Sequence, residues 1–194
     1  MSYITLPQFK HLFAMFHFSI VSSSKKSFIF VKDVKSLGNN FISNNSKKNI
    51  KSLTILSDTF LPDFSDCTQI ETLIIPNIKN ITKDIVSNSN LKKLDISNAE
   101  YIAPGLLSEK SNITELILPF IGTGEKGTAS EENGLLGNLF GTASASGMKA
   151  VTQNYNNEKS KTYYISPNLT KITITEGCSE ISYGALQGIS TLKE

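Results

Sequence analysis

The residues able to do chemistry are few in this 194-residue chain, and they are poorly spaced to act together. The two histidines, His11 and His17, stand six positions apart near the N-terminus, whereas two metal ligands on one helix face need a spacing of four. Cys67 and Cys178 are the only cysteines, too few for a disulfide framework or a cysteine-rich zinc site, although a single bridge between them stays open. Asp63, Asp66 and Cys67 fall close together, but a hydrolase needs a base beside its nucleophile and both histidines lie far upstream. Cys67 is therefore read as a structural thiol. The sharpest motif is Gly122-Thr-Gly124-Glu-Lys-Gly127, a GxGxxG match behind an expected strand. A dinucleotide site needs a helix opening at the third glycine, so that its N-terminus can hold the pyrophosphate. Thr128-Ala-Ser-Glu-Glu-Asn-Gly134 has no apolar face to pack such a helix. A loop is expected there, with no cofactor and no metal.

Charge excludes another class. The chain has 19 basic residues against 17 acidic ones, a net of +2, and every one of those cations is lysine; arginine and tryptophan are absent. A nucleic-acid binder needs a concentrated basic face and the bidentate arginine fork, and these lysines are interspersed with Glu and Asp. Apolar residues make up 39% and charged residues 19%, which fits a folded chain rather than a disordered one. No segment is long enough to span a membrane, which takes ~20 apolar residues.

The elements that must position any site emerge from an internal repeat. Ile50-Lys-Ser-Leu53-Thr-Ile55, Ile70-Glu-Thr-Leu73-Ile-Ile75, Leu91-Lys-Lys-Leu94-Asp-Ile96, Ile113-Thr-Glu-Leu116-Ile-Leu118 and Leu169-Thr-Lys-Ile172-Thr-Ile174 share the spelling LxxLxI, and a sixth copy opens at Leu192. Their starts are separated by 20, 21, 22, 56 and 23 residues. Between them an apolar residue is followed four and five positions later by an apolar pair: Leu37 with Phe41 and Ile42, Leu56 with Phe60 and Leu61, Ile81 with Ile85 and Val86, Ile102 with Leu106 and Leu107, Ile181 with Ala185 and Leu186. Each unit thus has two walls. Strand residues two apart face the same way, so Leu73 and Ile75 point inward while Ile74 points out. Neighbouring units bury each other's apolar faces, and Pro76 and Pro119 stop strands where the ladder should end. Ile29 and Val31 precede Leu37 at the offset with which Leu73 and Ile75 precede Ile81, so Phe28 to Val31 reads as a degenerate first coil.

This spelling resembles the BspA-like leucine-rich repeat family of bacterial and protist surface proteins, most closely in the last full unit, where Ile181-Ser-Tyr-Gly-Ala185-Leu186 stands in place of that family's Ile-xxx-Ala-Phe. The resemblance implies an α/β or mostly β solenoid, its parallel strands stacked coil on coil, plus a Gly-rich insertion. It implies a non-catalytic interaction module with no catalytic residues, binding a protein or glycan partner, secreted or at a cell surface. An intracellular scaffold of the same fold is the alternative, and a nucleotide-binding enzyme using the Gly-rich insertion a distant third.

Four segments follow: residues 1–27, an N-terminal cap or signal; 28–118, repeat coils; 119–166, the insertion; and 167–194, a further repeat with an unfinished last unit. The 56-residue gap equals one 23-residue unit plus 33 more, and the insertion holds seven of the 12 glycines. Leu135-Leu-Gly-Asn-Leu-Phe140 gives an apolar patch of about one turn and Lys161-Thr-Tyr-Tyr-Ile165 a strand; the pair is similar to an insertion that recurs in BspA-like proteins. Two readings of Phe140, Tyr155, Tyr163 and Tyr164 stand side by side: a protruding ligand loop, or aromatic packing against the solenoid.

The extended strand face is the other candidate surface. Its outward positions, coil by coil, are Thr54, Ile74, Asp95, Ile117 and Thr173, and a neighbouring column runs through Lys93, Glu115 and Lys171. A solvated cross-strand charge ladder explains that column without any ligand.

At the ends, residues 12–21 form an apolar run with Lys10 before it, suiting either a cleaved signal or an apolar cap. Asn44, Asn80, Asn112 and Asn168 each begin a glycosylation sequon, two of which restate the repeat spelling. Leu192-Lys-Glu194 opens a unit that the chain does not finish, as in a fragment of a longer array or a shortened reading frame; the unfinished coil is a route to self-association.

Overall fold

A computed structural model describes residues 26–30, 47–59, 61, 63–64, 66–86, 90–128, 130–176 and 178–193. The apolar run at 12–21, Leu37 with Phe41 and Ile42, Phe60 and the Asn44 sequon lie outside these residues.

Six strands make one sheet: β1 (Lys26–Phe30), β2 (Ile50–Ile55), β3 (Thr72–Ile74), β5 (Lys93–Asp95), β7 (Glu115–Leu118) and β11 (Lys171–Ile174). All pair in parallel, and β2 to β11 pair in one register, with Leu53 opposite Leu73, then Leu94, Leu116 and Ile172. Period two sets the sidedness. Leu53, Leu73, Leu94 and Leu116 and, two residues on, Ile55, Ile75, Ile96 and Leu118 are all buried, while the residues between them are half-exposed.

The same backbone bond opens every rung. The amide of Glu71 donates to the Lys51 carbonyl at 2.8 Å, Lys92 to Glu71 at 2.8 Å, Thr114 to Lys92 at 2.8 Å and Thr170 to Thr114 at 3.0 Å. One residue before the rung's first apolar side chain, an asparagine reaches back to the preceding turn: Asn90 Nδ2 donates to the Thr68 carbonyl at 3.0 Å and Asn168 Nδ2 to that of Ser111 at 2.9 Å. In these two coils the amide side chain ties the start of the rung to the turn behind it.

At β1 the register differs from expectation. Phe28 lies opposite Leu53 and Phe30 opposite Ile55, one residue earlier than the phase read from Ile29 and Val31, with a register shift between Lys26 and Ser27. Phe28-Ile-Phe-Val31 is apolar at every position, so alternation does not choose between the two phases.

The opposite wall is a small sheet of β4 (Asn80–Ile81), β6 (Tyr101–Ile102) and β8 (Gly124–Glu125), the first two parallel and β8 antiparallel to β6. Ile81, Ile85, Val86, Ile102, Leu106 and Leu107 are buried behind it. Four expected members are not: Leu56, Leu61 and Leu186 are half-buried and Ile181 is exposed. Leu56 is half-buried because it directly follows inward Ile55, and Ser57 is buried instead. Ile181 is 53% exposed: it falls seven residues after Ile174, where Ile81 and Ile102 fall six after Ile75 and Ile96.

The largest correction concerns the insertion. Residues 119–166 are not one excursion, because Leu135-Leu-Gly-Asn-Leu-Phe140 lies inside the stack. Its helical turn α1 (Gly137–Phe140) sits between two back-wall turns: the amides of Gly105 and Leu107 donate to the carbonyls of Asn138 at 2.8 Å and Leu139 at 2.7 Å, and the Leu136 amide donates to the Ala185 carbonyl at 2.9 Å. Leu135, Leu139 and Phe140 are at most 1% exposed. They repeat the back-wall spelling, an apolar residue followed four and five positions later by an apolar pair. What leaves the stack is therefore two segments, a loop before Leu135 and the hairpin of β9 (Lys149–Asn154) and β10 (Ser160–Ile165).

Candidate binding surface

The outward column of the large sheet is continuous. Thr54 lies opposite Ile74, Ile74 opposite Asp95, Asp95 opposite Ile117 and Ile117 opposite Thr173. All are half-buried except Thr173, which is exposed. Ile74 and Ile117 give two apolar patches separated by Asp95, whose Oδ1 accepts the Ser97 amide at 3.1 Å and so turns part of its charge into the strand end.

Charged columns flank it. Lys93 Nζ donates to Glu115 at 2.9 Å, and Lys171 stands opposite Glu115 in register. One residue earlier in the rung, Lys51 and Lys92 both donate to Glu71, each at 2.9 Å. Hydrogen bonds from Lys92 and then Lys51 hold the Glu71 carboxyl down to about 2, well below its ordinary 4.5. Cross-strand pairs of opposite sign stabilise the sheet, and the face they leave is almost neutral. Such a surface offers shape and hydrogen bonds to a partner, not a strong field.

The four aromatic candidates of the insertion divide. Phe140 and Tyr163 are 1% and 0% exposed and belong to the core, which removes them from any ligand surface in this conformation. Tyr155 packs half-buried against that core, and Tyr164 is half-exposed, its amide bound to the Gly141 carbonyl at 3.1 Å. Gly137 explains the tight fit: a Cβ there would stand 2.2 Å from the Tyr163 ring. Burial raises the Tyr163 phenol above its ordinary value, and its hydroxyl has no hydrogen-bond partner among the described residues.

Gln153 fastens the hairpin and has no counterpart among the sequence candidates. Fully buried, it accepts the Gly137 amide at 2.7 Å and donates to the carbonyls of Ala185 and Gln187, both at 3.1 Å. One side chain thus joins the hairpin, the back-wall helix and the last coil. Period two puts Gln153 on the same side as buried Val151, but a polar residue there carries no signal of the three elements it joins. The Leu135, Leu139, Phe140 spacing does carry a signal, the back-wall pattern itself.

The GxGxxG segment is a chain crossing. Gly122, at φ +106°, lies against the Asn133 carbonyl, where a Cβ would come within 2.0 Å, and Gly124–Glu125 forms β8. The next helical turn starts only at Glu131 and is four residues long. Among the described residues no helix N-terminus faces the glycines, as a pyrophosphate site would require.

Nucleophilic chemistry fares no better. Cys67 is 4% exposed and burial pushes its thiol up, the opposite of an activated nucleophile; Asp66, beside it, is paired with Lys47 at 3.5 Å. Both cysteines are thiols. Among the described residues no group of His, Cys, Asp and Glu could hold a metal ion, and no helix is long and apolar enough to cross a membrane. The chain matches no family model and no curated protein.

Proposed function

We propose that this chain is a leucine-rich-repeat solenoid of the BspA-like kind, a non-catalytic module that binds a protein or glycan partner through its outward strand face, at a cell surface or after secretion. The observation that supports this reading most is the single register running from Thr54 through Ile74, Asp95 and Ile117 to Thr173. It gives a rigid, nearly neutral array in which two isoleucines are offered to solvent at fixed spacing, as an extended interaction surface requires.

The alternative reading is an intracellular scaffold of the same fold. Fractionation with N-terminal sequencing separates the two. A processed chain outside the cell supports the surface role, and an intact Met1 in the cytosol supports the scaffold.

The binding face is tested with the purified chain on a glycan array and on immobilised matrix proteins. Saturable binding should fall at least tenfold in the double variant Ile74→Lys, Ile117→Lys, and persist in Thr152→Asp on the hairpin. Binding that survives the double variant and is lost with the hairpin change would overturn the assignment to the strand face.

A further inference from the structure

Of the four glycosylation sequons, those at Asn80, Asn112 and Asn168 fall on described residues, and the structure separates them. An asparagine stands directly before the first apolar residue of several rungs: Asn49 before Ile50, Asn90 before Leu91, Asn112 before Ile113 and Asn168 before Leu169. Its task there is structural. Asn168 Nδ2 is held by the Ser111 carbonyl at 2.9 Å, and Asn112, at the same place in its own rung, is not free either. The threonines that complete these two sequons are engaged as well: Thr114 Oγ1 donates to the Lys92 carbonyl at 3.1 Å and Thr170 Oγ1 to the Thr114 carbonyl at 3.3 Å. The repeat thus accounts for both sequons without any modification.

Asn80 is different. It is exposed on β4, on the wall opposite the large sheet, and its side chain makes no hydrogen bond among the described residues. In register it stands beside Tyr101, and Tyr101 beside Glu125, so the neighbouring strands do not ask for an amide at this position. Asparagine is disfavoured within strands, and here no bond offsets that preference. A cleft of about 300 Å³ opens beside the amide, lined by Lys79, Glu100, Tyr101 and Glu125. The Tyr101 ring offers an apolar face, while the two carboxylates accept hydrogen bonds and the lysine donates them, a combination suited to a polyhydroxylated ring.

We propose that Asn80 is a modification site carrying an N-linked glycan, with the first sugar seated in this cleft. The proposal rests on the surface or secreted reading above, since the sugar donor belongs to the secretory pathway. In the transfer, Asn80 Nδ2 forms a bond to C1 of a sugar carried on a lipid pyrophosphate. The bond from C1 to the phosphate oxygen breaks, the lipid pyrophosphate leaves with the electron pair, and the amide gives one proton to a base of the transferase. Nothing is oxidised or reduced. The glycan would cover the back wall and leave the outward strand column free for a partner.

The test uses the full chain isolated from the cells that make it, deglycosylated by peptide-N-glycosidase in water enriched in oxygen-18, which converts a carrying asparagine to labelled aspartate. Label at Asn80 is expected in the peptide masses. The added mass should be lost completely in Asn80→Gln, and also in Thr82→Ala, which keeps the acceptor amide. Tyr101→Ala should keep the glycan and release it from the folded protein about threefold faster or more, as loss of one aromatic contact implies. A processed chain outside the cell with Asn80 unlabelled would overturn the site and spare the surface reading, whereas an intact cytosolic chain without glycan would overturn both. Label at Asn112 or Asn168 in place of Asn80, or added mass that persists in Asn80→Gln, would also overturn the site. An unchanged release rate in Tyr101→Ala would overturn the seating of the sugar.

Discussion

The coils from Ile70 to Leu118 and the residues between Leu118 and Leu169 are held by different means. In the first, one pattern is repeated: inward Leu and Ile every second residue and one backbone bond to open each rung. No single residue is special. In the second, the chain is fixed by individual fits, Gly122 under the Asn133 carbonyl, Gly137 under the Tyr163 ring and Gln153 across three elements. A repeated interface spreads its stability over neighbours, whereas an irregular segment concentrates it in a few contacts.

That contrast can be broken by mutation, and the largest effect is expected in the repeat. Leu94 is fully buried between two rungs, so Leu94→Ala should cost about 2–5 kcal/mol in urea unfolding, with the loss shared by both regions because the hairpin packs on the stack. A loss confined to one coil would show that the coils do not fold as one unit. Gln153→Leu should cost less, about 1–3 kcal/mol, because it strands the buried Gly137 amide and removes the bonds to the Ala185 and Gln187 carbonyls, of which Ala185 keeps the Leu136 amide. Its signature is local: limited proteolysis should open the hairpin and the last coil while β2 to β7 resist. Uniform sensitivity along the chain would erase the distinction between the two regions.

The smallest effect belongs to the charge ladder. Glu71 is ionised in the folded protein down to about 2 against 4.5 in the unfolded chain, so its contribution is present above 4.5 and is lost as pH falls from 4.5 toward 2. The pair is solvent-screened, so Glu71→Gln should cost less than about 1 kcal/mol at neutral pH, and less again in high salt. The difference from the unmodified protein should vanish near pH 2, and a difference unchanged there would mean that Glu71 acts through packing and not through charge.

Much of the repeat was legible because period two and a spacing of 20 to 22 residues reinforce one another, so the inward positions from Leu53 to Leu118 and the outward column could be written down residue by residue. Legibility failed where a second rule intervened. Phe28 to Val31 is apolar throughout and gives alternation nothing to choose with. Ile181 carries the back-wall spelling but sits one residue late. Leu135 to Phe140 carries that spelling too, yet its distance from the flanking strands disguised it as part of an excursion. The bonds of Gln153 were invisible, since they depend on which elements meet above it. Of the candidate surface, the strand positions follow from sequence, as does the burial of Phe140 once the back-wall spacing from Leu135 is read, while the burial of Tyr163 follows only from Gly137 letting the ring approach.

The placement of Leu135 to Phe140 inside the stack is the claim on which this description most depends, and native-state hydrogen exchange tests it directly. The amides of Leu107 and Leu136, bonded to Leu139 and Ala185, should exchange as slowly as those of Lys93 and Ile96 in the middle of the sheet, while the exposed loop amides at 142–144 exchange fast. Slow exchange shared by all four would place the segment in the stack; exchange of Leu107 and Leu136 at the rate of the loop would contradict it.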